Sequence, residues 1–365
     1  MSTPVKKPKI IVILGPTASG KSELAVKIAK YLSTPSQIKS NKSLIFEKNS
    51  NSSDENSRNF SAEIISADSR QVYKGLDIGS GKVPRDKPKI KNQKSKLQLK
   101  NQSYFYKGIK HHLLDVVSPK KTFTVAQYQK LAKKTLQKIF KKKGIPIICG
   151  GAGFYIDTLI YDYQLPAVPP QPKLRKQLEK KSTEELFKKL QKLDPRRAKN
   201  IDKYNRRRLI RALEIILITN KPVPSLNNIS VNQNKNQNKP TTTFAVLKIG
   251  VKKSTEELKK LINKRLLKRL RQGMISEVKK LHQSGVSWQK LDDLGLEYRY
   301  VARYLQKLIT KKEMIELLCE EIYRYAKRQM TWFKKDKKII WINPLVKEDL
   351  KRTMLLCEKF IKNKC

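Results

Sequence analysis

Acidic residues are scarce in this chain. Its 365 residues hold 31 Asp and Glu against 81 Lys and Arg, a formal net charge of +50. Such an excess creates a positive field that favours a polyanionic partner, nucleic acid first. An anionic membrane surface is the competitor, but no long basic amphipathic helix stands alone to serve it. Long apolar runs are also missing. The longest are five or six residues, far short of a transmembrane span. The four cysteines, Cys149, Cys319, Cys357 and Cys365, form no C-x-x-C pair, so neither a zinc site nor a disulfide framework is signalled. The basic start, Met1 to Lys9, runs into an apolar stretch too short for a cleaved leader. A reduced, soluble, cytoplasmic protein is expected.

What is present is organised around Gly15-Pro16-Thr17-Ala18-Ser19-Gly20-Lys21-Ser22. An apolar β-branched run, Ile10 to Leu14, precedes it. A helical pattern with Leu24, Ala25, Ile28 and Ala29 on one face follows. Strand, loop and helix with the spacing G-x-x-x-x-G-K-S make a phosphate-binding loop. Gly15 and Gly20 let the backbone wrap closely, and N–H groups at the helix start face the loop. Lys21 supplies charge for a terminal phosphate, and the Ser22 hydroxyl is a candidate Mg²⁺ ligand. The loop holds a phosphate or diphosphate; the spacing does not say which.

Beyond the first helix, Ser33 to Ser61 is polar and reads as a disordered insertion. Glu63 to Ser66 is a short strand, and Asp68 follows its carboxyl end, where open α/β sheets place ligands. Asp68 is therefore a chemical candidate, with helix capping or plain metal ligation as simpler roles. Pro84 to Ser103 is a second polar excursion, and His112 to Val117 reads as a strand. His111 and His112 point to opposite faces of such a strand, which favours packing or hydrogen bonding over a shared metal. Thr124 with Gln127 caps a helix, and Pro146 to Cys149 is a buried strand ending in Gly150-Gly151-Ala152-Gly153. Strand, helix, strand with these short loops indicates a parallel sheet.

Leu165 to Pro172 is a stiff linker after which the pattern turns helical. Ser182 with Glu185 and Asp194-Pro195 open helices. Arg206-Arg207-Arg208-Leu209-Ile210-Arg211 sets four arginines within two turns. A run of charge usually means a solvated face, but with no acid before Glu214 phosphate contact is an equal reading. Asn227 to Lys239 is a polar loop, and Phe244 to Val251 is a strand returning to the first domain. Three regions result: residues 1–165 as the first part of the α/β core, 166–242 as an inserted helical region, and 243–365 as the second part with terminal helices. Within the last, Ser254 with Glu257 and Thr310 with Glu313 cap helices, and Lys338 to Ile342 is a final strand. Tyr323 to Phe333 interleaves aromatics with Arg and Lys, which suits either stacking on nucleic acid or packing on the sheet.

Taken in order, Gly15 to Ser22, Ile65 to Tyr73, Asp77 to Gly79, His111 to Asp115, Gly150 to Tyr155, Arg207 to Glu214 and Ala326 to Phe333 resemble the tRNA dimethylallyltransferase family. The resemblance implies a P-loop-kinase-like α/β core, with a parallel sheet flanked by helices and an inserted helical domain. It also implies transfer of a dimethylallyl group from dimethylallyl diphosphate to the adenine next to the anticodon. The loop would cradle the diphosphate with Mg²⁺ at Ser22. Asp68, Ser22 and Arg265 would be catalytic, Asp68 as base. Matched tRNA contacts would be Asp68, Ser69, Arg70 and Gln71, then Ala152, Arg175, and Arg207, Arg208, Leu209, Ile210 and Arg211. Leu294, Gly295, Leu296, Glu297, Tyr298 and Arg299 complete them. A monomer acting on the anticodon stem-loop, away from any membrane, is expected.

Three departures stand out: the polar insertions add reach and charge with no assigned role, and two lie within the motifs. Ala152 replaces a threonine usual after Gly-Gly, and Gly295-Leu296-Glu297-Tyr298-Arg299 is two residues longer than the usual Gly-Tyr-Arg segment. Rival readings are an adenylate isopentenyltransferase, a P-loop small-molecule kinase and a non-catalytic nucleic-acid binder with a nucleotide switch. The basic charge speaks against the first two, and the ordered motifs against the third.

Overall fold

The computed structural model describes residues 7–34, 61–86, 103–224 and 242–363. They fall into two compact units, Met1–Ile160 with Thr243–Cys365, and Tyr161–Thr242. The polar stretches expected to be disordered or solvated lie largely outside the described residues.

In the first unit, strands β1 (Lys9–Leu14), β2 (Ala62–Ser66), β3 (Tyr104–Tyr106), β4 (Ile109–His112), β5 (Ile145–Gly150), β6 (Ala245–Val251) and β7 (Ile340–Ile342) form one sheet. Among the described residues their order is β3-β4-β2-β5-β1-β6-β7. All neighbours are parallel except the β3–β4 hairpin. Residues Ile10 to Ile13 are fully buried, as befits a central parallel strand covered on both faces. Helix α1 (Lys21–Ser33) buries Leu24, Ala25, Val26, Ile28, Ala29 and Leu32 against it. Helix α2 (Val125–Lys141) starts from the capping box of Thr124 and Gln127 and buries Tyr128, Ala132, Leu136 and Ile139. The short α3 (Gly153–Ile160) follows β5.

One expected strand is corrected. His112 to Val117 is not extended: β4 ends at His112, and Leu113 and Asp115 take left-handed φ of 61° and 55°. That turn breaks the ladder, and only an isolated bridge between Tyr73 and Val117 remains. His111 Nδ1 shares a hydrogen bond with the Ile109 carbonyl, and His112 pairs with Glu63.

The second unit holds α4 (Pro172–Glu179), α5 (Thr183–Leu193), α6 (Pro195–Asn200) and α7 (Arg206–Thr219). Its core is Leu178, Leu186, Leu190, Ala198, Leu209, Ile210, Ala212, Leu213 and Ile216. Glu214 is fully buried at its edge. Arg175 grips it at 2.8 Å through both Nε and Nη2, Arg211 Nη1 donates at 2.5 Å, and the Gln171 N–H donates at 2.7 Å.

The remaining helices of the first unit are α8 (Thr255–Arg271), α9 (Met274–Gln283), α10 (Trp288–Leu294), α11 (Leu296–Leu305), α12 (Lys311–Phe333) and α13 (Lys347–Lys362). Most of them share a core of their own, with Leu258, Ile262, Leu266, Val278, Tyr298, Val301, Leu318 and Ile322. Val72, Tyr73 and Leu76 join that core, which ties the segment after β2 to these helices.

Burial pushes the Glu214 carboxyl up, but its bonds from Arg175, Gln171 and Arg211 outweigh this and hold it down at about 2. A displacement of that size corresponds to about 3 kcal/mol of stabilisation. Because the folded value lies below the ordinary one of 4.5, this contribution is present above pH 4.5 and fades as pH falls toward 2. Glu214→Gln leaves two arginines without their carboxylate and is expected to raise hydrogen exchange across residues 206–219 at pH 7. The difference from the wild type should shrink below pH 4.5.

Candidate active site

Loops after three adjacent strands, β2, β5 and β1, meet at one end of the sheet. After β1 the chain turns through Gly15 and reaches α1 at Gly20, whose φ of 89° is left-handed. Glycine takes that conformation without the clash a Cβ brings, so the helix start is reached in a tight wrap. Ser19 is buried, and its Oγ has no hydrogen-bond partner among the described residues.

Three cations gather at this loop. Lys21 Nζ donates to the Pro16 carbonyl at 3.1 Å, and Arg265 Nη2 donates to Thr17 Oγ1 at 2.8 Å. Arg269, one helical turn further along α8, donates to Glu297 at 2.9 Å. Burial lowers the Lys21 pKa, with Arg265 and Arg269 adding to the effect. Burial, then Arg269, pushes Arg265 down to about 9. Positive charge crowded into a dry site is what an anion relieves, and a multiply charged one most of all.

The loop is fastened by Gln329 of α12, itself buried. Its Oε1 accepts from the Thr17 N–H at 2.8 Å, and its Nε2 donates to the Gly151 carbonyl at 2.8 Å. One amide thus joins the phosphate-type loop to the loop after β5. A Cβ at Gly151 would lie 2.2 Å from Gln329 Nε2, so any side chain there displaces the amide from this bond. At Gly150 a Cβ would lie 2.1 Å from the Ala67 carbonyl oxygen, so β5 passes directly under the segment leading to Asp68. Ala152 N–H donates to that same carbonyl at 3.2 Å, and the Ala152 carbonyl accepts the first helical bonds of α3.

Asp68 stands just past β2. Its Oδ1 accepts from the N–H of Arg70 at 2.8 Å and of Gln71 at 3.4 Å, fixing the carboxylate as the cap of a turn. Oδ2 carries no hydrogen bond among the described residues. Gln71 is held on both sides, by Ser66 Oγ at 3.0 Å and through its Nε2 to the Gly81 carbonyl at 3.3 Å. Tyr128 and Tyr155 close the floor, their rings 4.3 Å apart, and the buried Tyr128 hydroxyl has no partner among the described residues. Cys149 is buried beneath Lys21, and burial raises its thiol to about 11, so it is an inert packing group.

The segment Asp77-Ile78-Gly79 is held from α9. Glu277 accepts from all three N–H groups, at 3.0, 2.7 and 3.0 Å. It also accepts from the Tyr298 hydroxyl at 2.9 Å, which in turn accepts from the Ser80 N–H at 3.0 Å.

The residues matched as tRNA contacts therefore separate. Leu294 and Tyr298 are 1% exposed and belong to the helical core of the first unit. Glu297 is engaged with Arg269, and Arg299 is bound to Asp292. Gly295 joins α10 to α11 with φ 125° and lies against Arg70, whose Nε would be 2.9 Å from a Cβ there. In the helical unit, Leu209 and Ile210 face inward, and Arg175 and Arg211 are committed to Glu214. Helical periodicity puts every third or fourth residue of a matched run into the core. Asp68, Ser69, Arg70, Gln71, Ala152 and Leu296 remain partly exposed, and Arg207 and Arg208 are exposed. Sequence reasoning assigned no role to Gln329, Glu277 or Arg269, whose partners lie far away in the chain.

A parallel sheet with a phosphate-type loop, a cationic cradle and a carboxylate two strands away defines a P-loop enzyme of the α/β class. Similarity narrows this further. The family model for IPP transferase matches residues 71–336, and the chain belongs to that family. It is 36% identical over 338 residues to a tRNA dimethylallyltransferase of Acetivibrio thermocellus, covering 92% of this chain and 91% of the other. To tRNA dimethylallyltransferase 1 of Syntrophus aciditrophicus it is 35% identical over 350 residues, covering 94% and 97%. The crystal structure of a tRNA isopentenylpyrophosphate transferase of Staphylococcus epidermidis superposes with a TM-score of 0.59 at 31% identity, covering 98% of this chain and all (100%) of that one. A eukaryotic dimethylallyltransferase acting on tRNA shares the fold, with a TM-score of 0.67 at 22% identity over 98% of this chain and 80% of the other.

Replacing Gln329 by leucine leaves the Thr17 N–H and the Gly151 carbonyl unpaired in a buried place, at about 1–3 kcal/mol per group. Gln329→Leu is expected to weaken binding of inorganic diphosphate by tenfold or more in a calorimetric titration. Gly151→Ala should act in the same direction, because its Cβ displaces the same amide.

Proposed function

We propose that the protein transfers a dimethylallyl group from dimethylallyl diphosphate to the N6 amine of adenine 37, next to the anticodon of tRNA. The observation that carries this reading is the pairing of a cationic cradle at Gly15–Ser22 with the open Oδ2 of Asp68, in a chain of net charge +50.

The diphosphate sits against the loop N–H groups, Lys21 and Arg265. The adenine amine attacks the allylic carbon, the carbon–oxygen bond breaks, and the electron pair leaves with the diphosphate. Lys21 and Arg265 stabilise that developing charge without moving, because Gln329 and Thr17 already hold the loop. Asp68 Oδ2 accepts the amine proton while Oδ1 stays fixed by two backbone N–H bonds. An aromatic amine is a weak nucleophile, so alignment supplies much of the rate. The target base leaves its stack to reach the site, as with other enzymes acting on bases.

Mg²⁺ fits the donor set in one way. Among the described residues no group of three or more His, Cys, Asp or Glu is placed to hold a metal. The Ser22 hydroxyl would hold the ion together with the substrate's phosphate oxygens, the pattern usual for Mg²⁺, and the ion would neutralise charge developing on the leaving diphosphate. Among the described residues no helix is long and apolar enough to cross a membrane. In the proposed reading the protein works in the cytoplasm, as a monomer, on the anticodon stem-loop. Arg70, Arg207 and Arg208 are matched arginines that reach the surface, where RNA phosphates can meet them.

Unmodified tRNA incubated with the protein, Mg²⁺ and dimethylallyl diphosphate should gain one prenyl group on an anticodon-loop adenine, read by mass spectrometry. Asp68→Ala should lower turnover by a thousandfold or more with tRNA affinity retained. Consumption of ATP without an adduct would establish the kinase reading instead, and full activity of Asp68→Ala would remove it as the base.

A further inference from the structure

Two consecutive residues in the first turn of α11 reach the loop at residues 77–82. Tyr298 is buried, and its hydroxyl accepts from the Ser80 N–H at 3.0 Å. Glu297 reaches the next loop residue through a guanidinium. Its Oε1 accepts from Arg269 Nη1 at 2.9 Å, while Arg269 Nη2 fills the space beside Gly81. A Cβ on Gly81 would lie 1.7 Å from that nitrogen, so any side chain there displaces the guanidinium. Gly81 also has a left-handed φ of 64°, which glycine takes without strain. Glu297 falls in the Gly295–Arg299 segment, the one that departs in length from the family's usual pattern.

The pair is nearly dry, the Arg269 and Glu297 side chains being 6% and 17% exposed. Burying two charges is costly, and their attraction offsets that cost only in part, so stability alone is a poor reason for the pair. Its surroundings suggest a better one. Arg269 stands one helical turn from Arg265, the arginine that touches Thr17 of the cradle. Burial pushes the Arg265 pKa down, Arg269 adds to the fall, and Glu297 opposes it. Glu297 is thus the acid that offsets an extra cation beside the donor site. Untethered, that guanidinium would be drawn to a diphosphate.

On its other side Gly81 leads to the base. The Gly81 carbonyl accepts from Gln71 Nε2 at 3.3 Å, and the Gln71 N–H donates to Asp68 Oδ1 at 3.4 Å. Ser66 Oγ donates to the Gln71 Oε1 at 3.0 Å, so the amide is held at both ends. A continuous set of contacts runs from Glu297 through Arg269, Gly81 and Gln71 to Asp68.

We infer that Glu297 is a positioning residue for the transfer step: it holds Arg269 against Gly81 and away from the diphosphate, and through Gln71 it sets the carboxylate of Asp68. The inference rests on the proposed reaction for the role of Asp68. Its two parts have opposite signs. Removing the Glu297 charge leaves the cradle more positive, which favours a bound anion. The same change frees Arg269 and loosens the loop that holds Gln71, which costs alignment at Asp68.

The test uses the full chain and Glu297→Gln. Turnover of dimethylallyl diphosphate with an anticodon stem-loop RNA should fall by about ten- to a hundredfold. Inorganic diphosphate with Mg²⁺, titrated by calorimetry, should bind as well as to the wild type or up to about threefold more tightly. Hydrogen exchange should rise at residues 70, 71, 81 and 82, whose N–H groups bond to Asp68 or within the loop. Glu297→Asp keeps the charge on a shorter arm, and its turnover should lie between the two. Gly81→Ala displaces Arg269 from the other side, so combining it with Glu297→Gln should cost no more than the larger single loss.

Wild-type turnover in Glu297→Gln overturns the inference, as do additive losses in the double variant. Diphosphate affinity that falls in step with turnover makes the pair a mere support of the cradle and defeats it. Weaker stem-loop binding assigns Glu297 to direct RNA contact and defeats it too. If the wild type forms no prenyl product, the proposed reaction fails by itself. Exchange and diphosphate affinity then still decide the pair, and unchanged exchange at residues 70, 71, 81 and 82 overturns it.

Discussion

One side-chain amide decides whether the active site exists as a single object. Gln329 accepts from Thr17 and donates to Gly151, so the loop after β1 and the loop after β5 share one buried fastening. Each partner is a backbone group that would otherwise lie unpaired in a dry place, which makes the bond costly to lose. Its geometry is further set by Gly151, where a Cβ would push the amide aside, and by the passage of Gly150 under Ala67. Through Ala67 the fastening reaches Asp68. Cradle and carboxylate are thus set by packing before any ligand arrives, which is what electrostatic catalysis requires of its groups.

Charge is sorted by partner. An excess of 81 basic over 31 acidic residues means that most cations have no carboxylate. The few acids are spent where backbone geometry must be held. Glu214 anchors Arg175 and Arg211, Glu277 gathers three N–H groups of the Asp77–Gly79 turn, and Glu297 restrains Arg269 beside the loop. Lys82 is buried between Asp77 and Asp115 for the same purpose. Cations in excess of these pairings give the chain its net positive field.

Much of this was legible in the chain itself because the signals are local. The phosphate-type loop follows from eight consecutive residues between a strand and a helix, and the four capping boxes from pairs three residues apart. Asp68 could be singled out from its place after a strand. The clasp at Gln329 could not, since Thr17 lies 312 positions away and glutamine carries no periodic signature. The same holds for Glu277 and its turn, 198 to 200 positions apart. Matching whole segments also blurred roles that helix geometry separates. In Arg207 to Arg211 two residues are core and one is tied to Glu214. The expected strand from His112 to Val117 failed for a local reason with no residue-type warning, since leucine at 113 and aspartate at 115 turn left-handed.

The central claim is that the loop cradles the diphosphate of an allylic donor and not the triphosphate of a nucleotide to be cleaved. A competition titration with Mg²⁺ addresses it directly, with dimethylallyl diphosphate and ATP as rivals for the wild-type protein and phosphate release followed in parallel. The account predicts that the allylic donor displaces ATP and that diphosphate appears only once an adenine-bearing RNA is added. Preferential ATP binding with transfer of its terminal phosphate would contradict it.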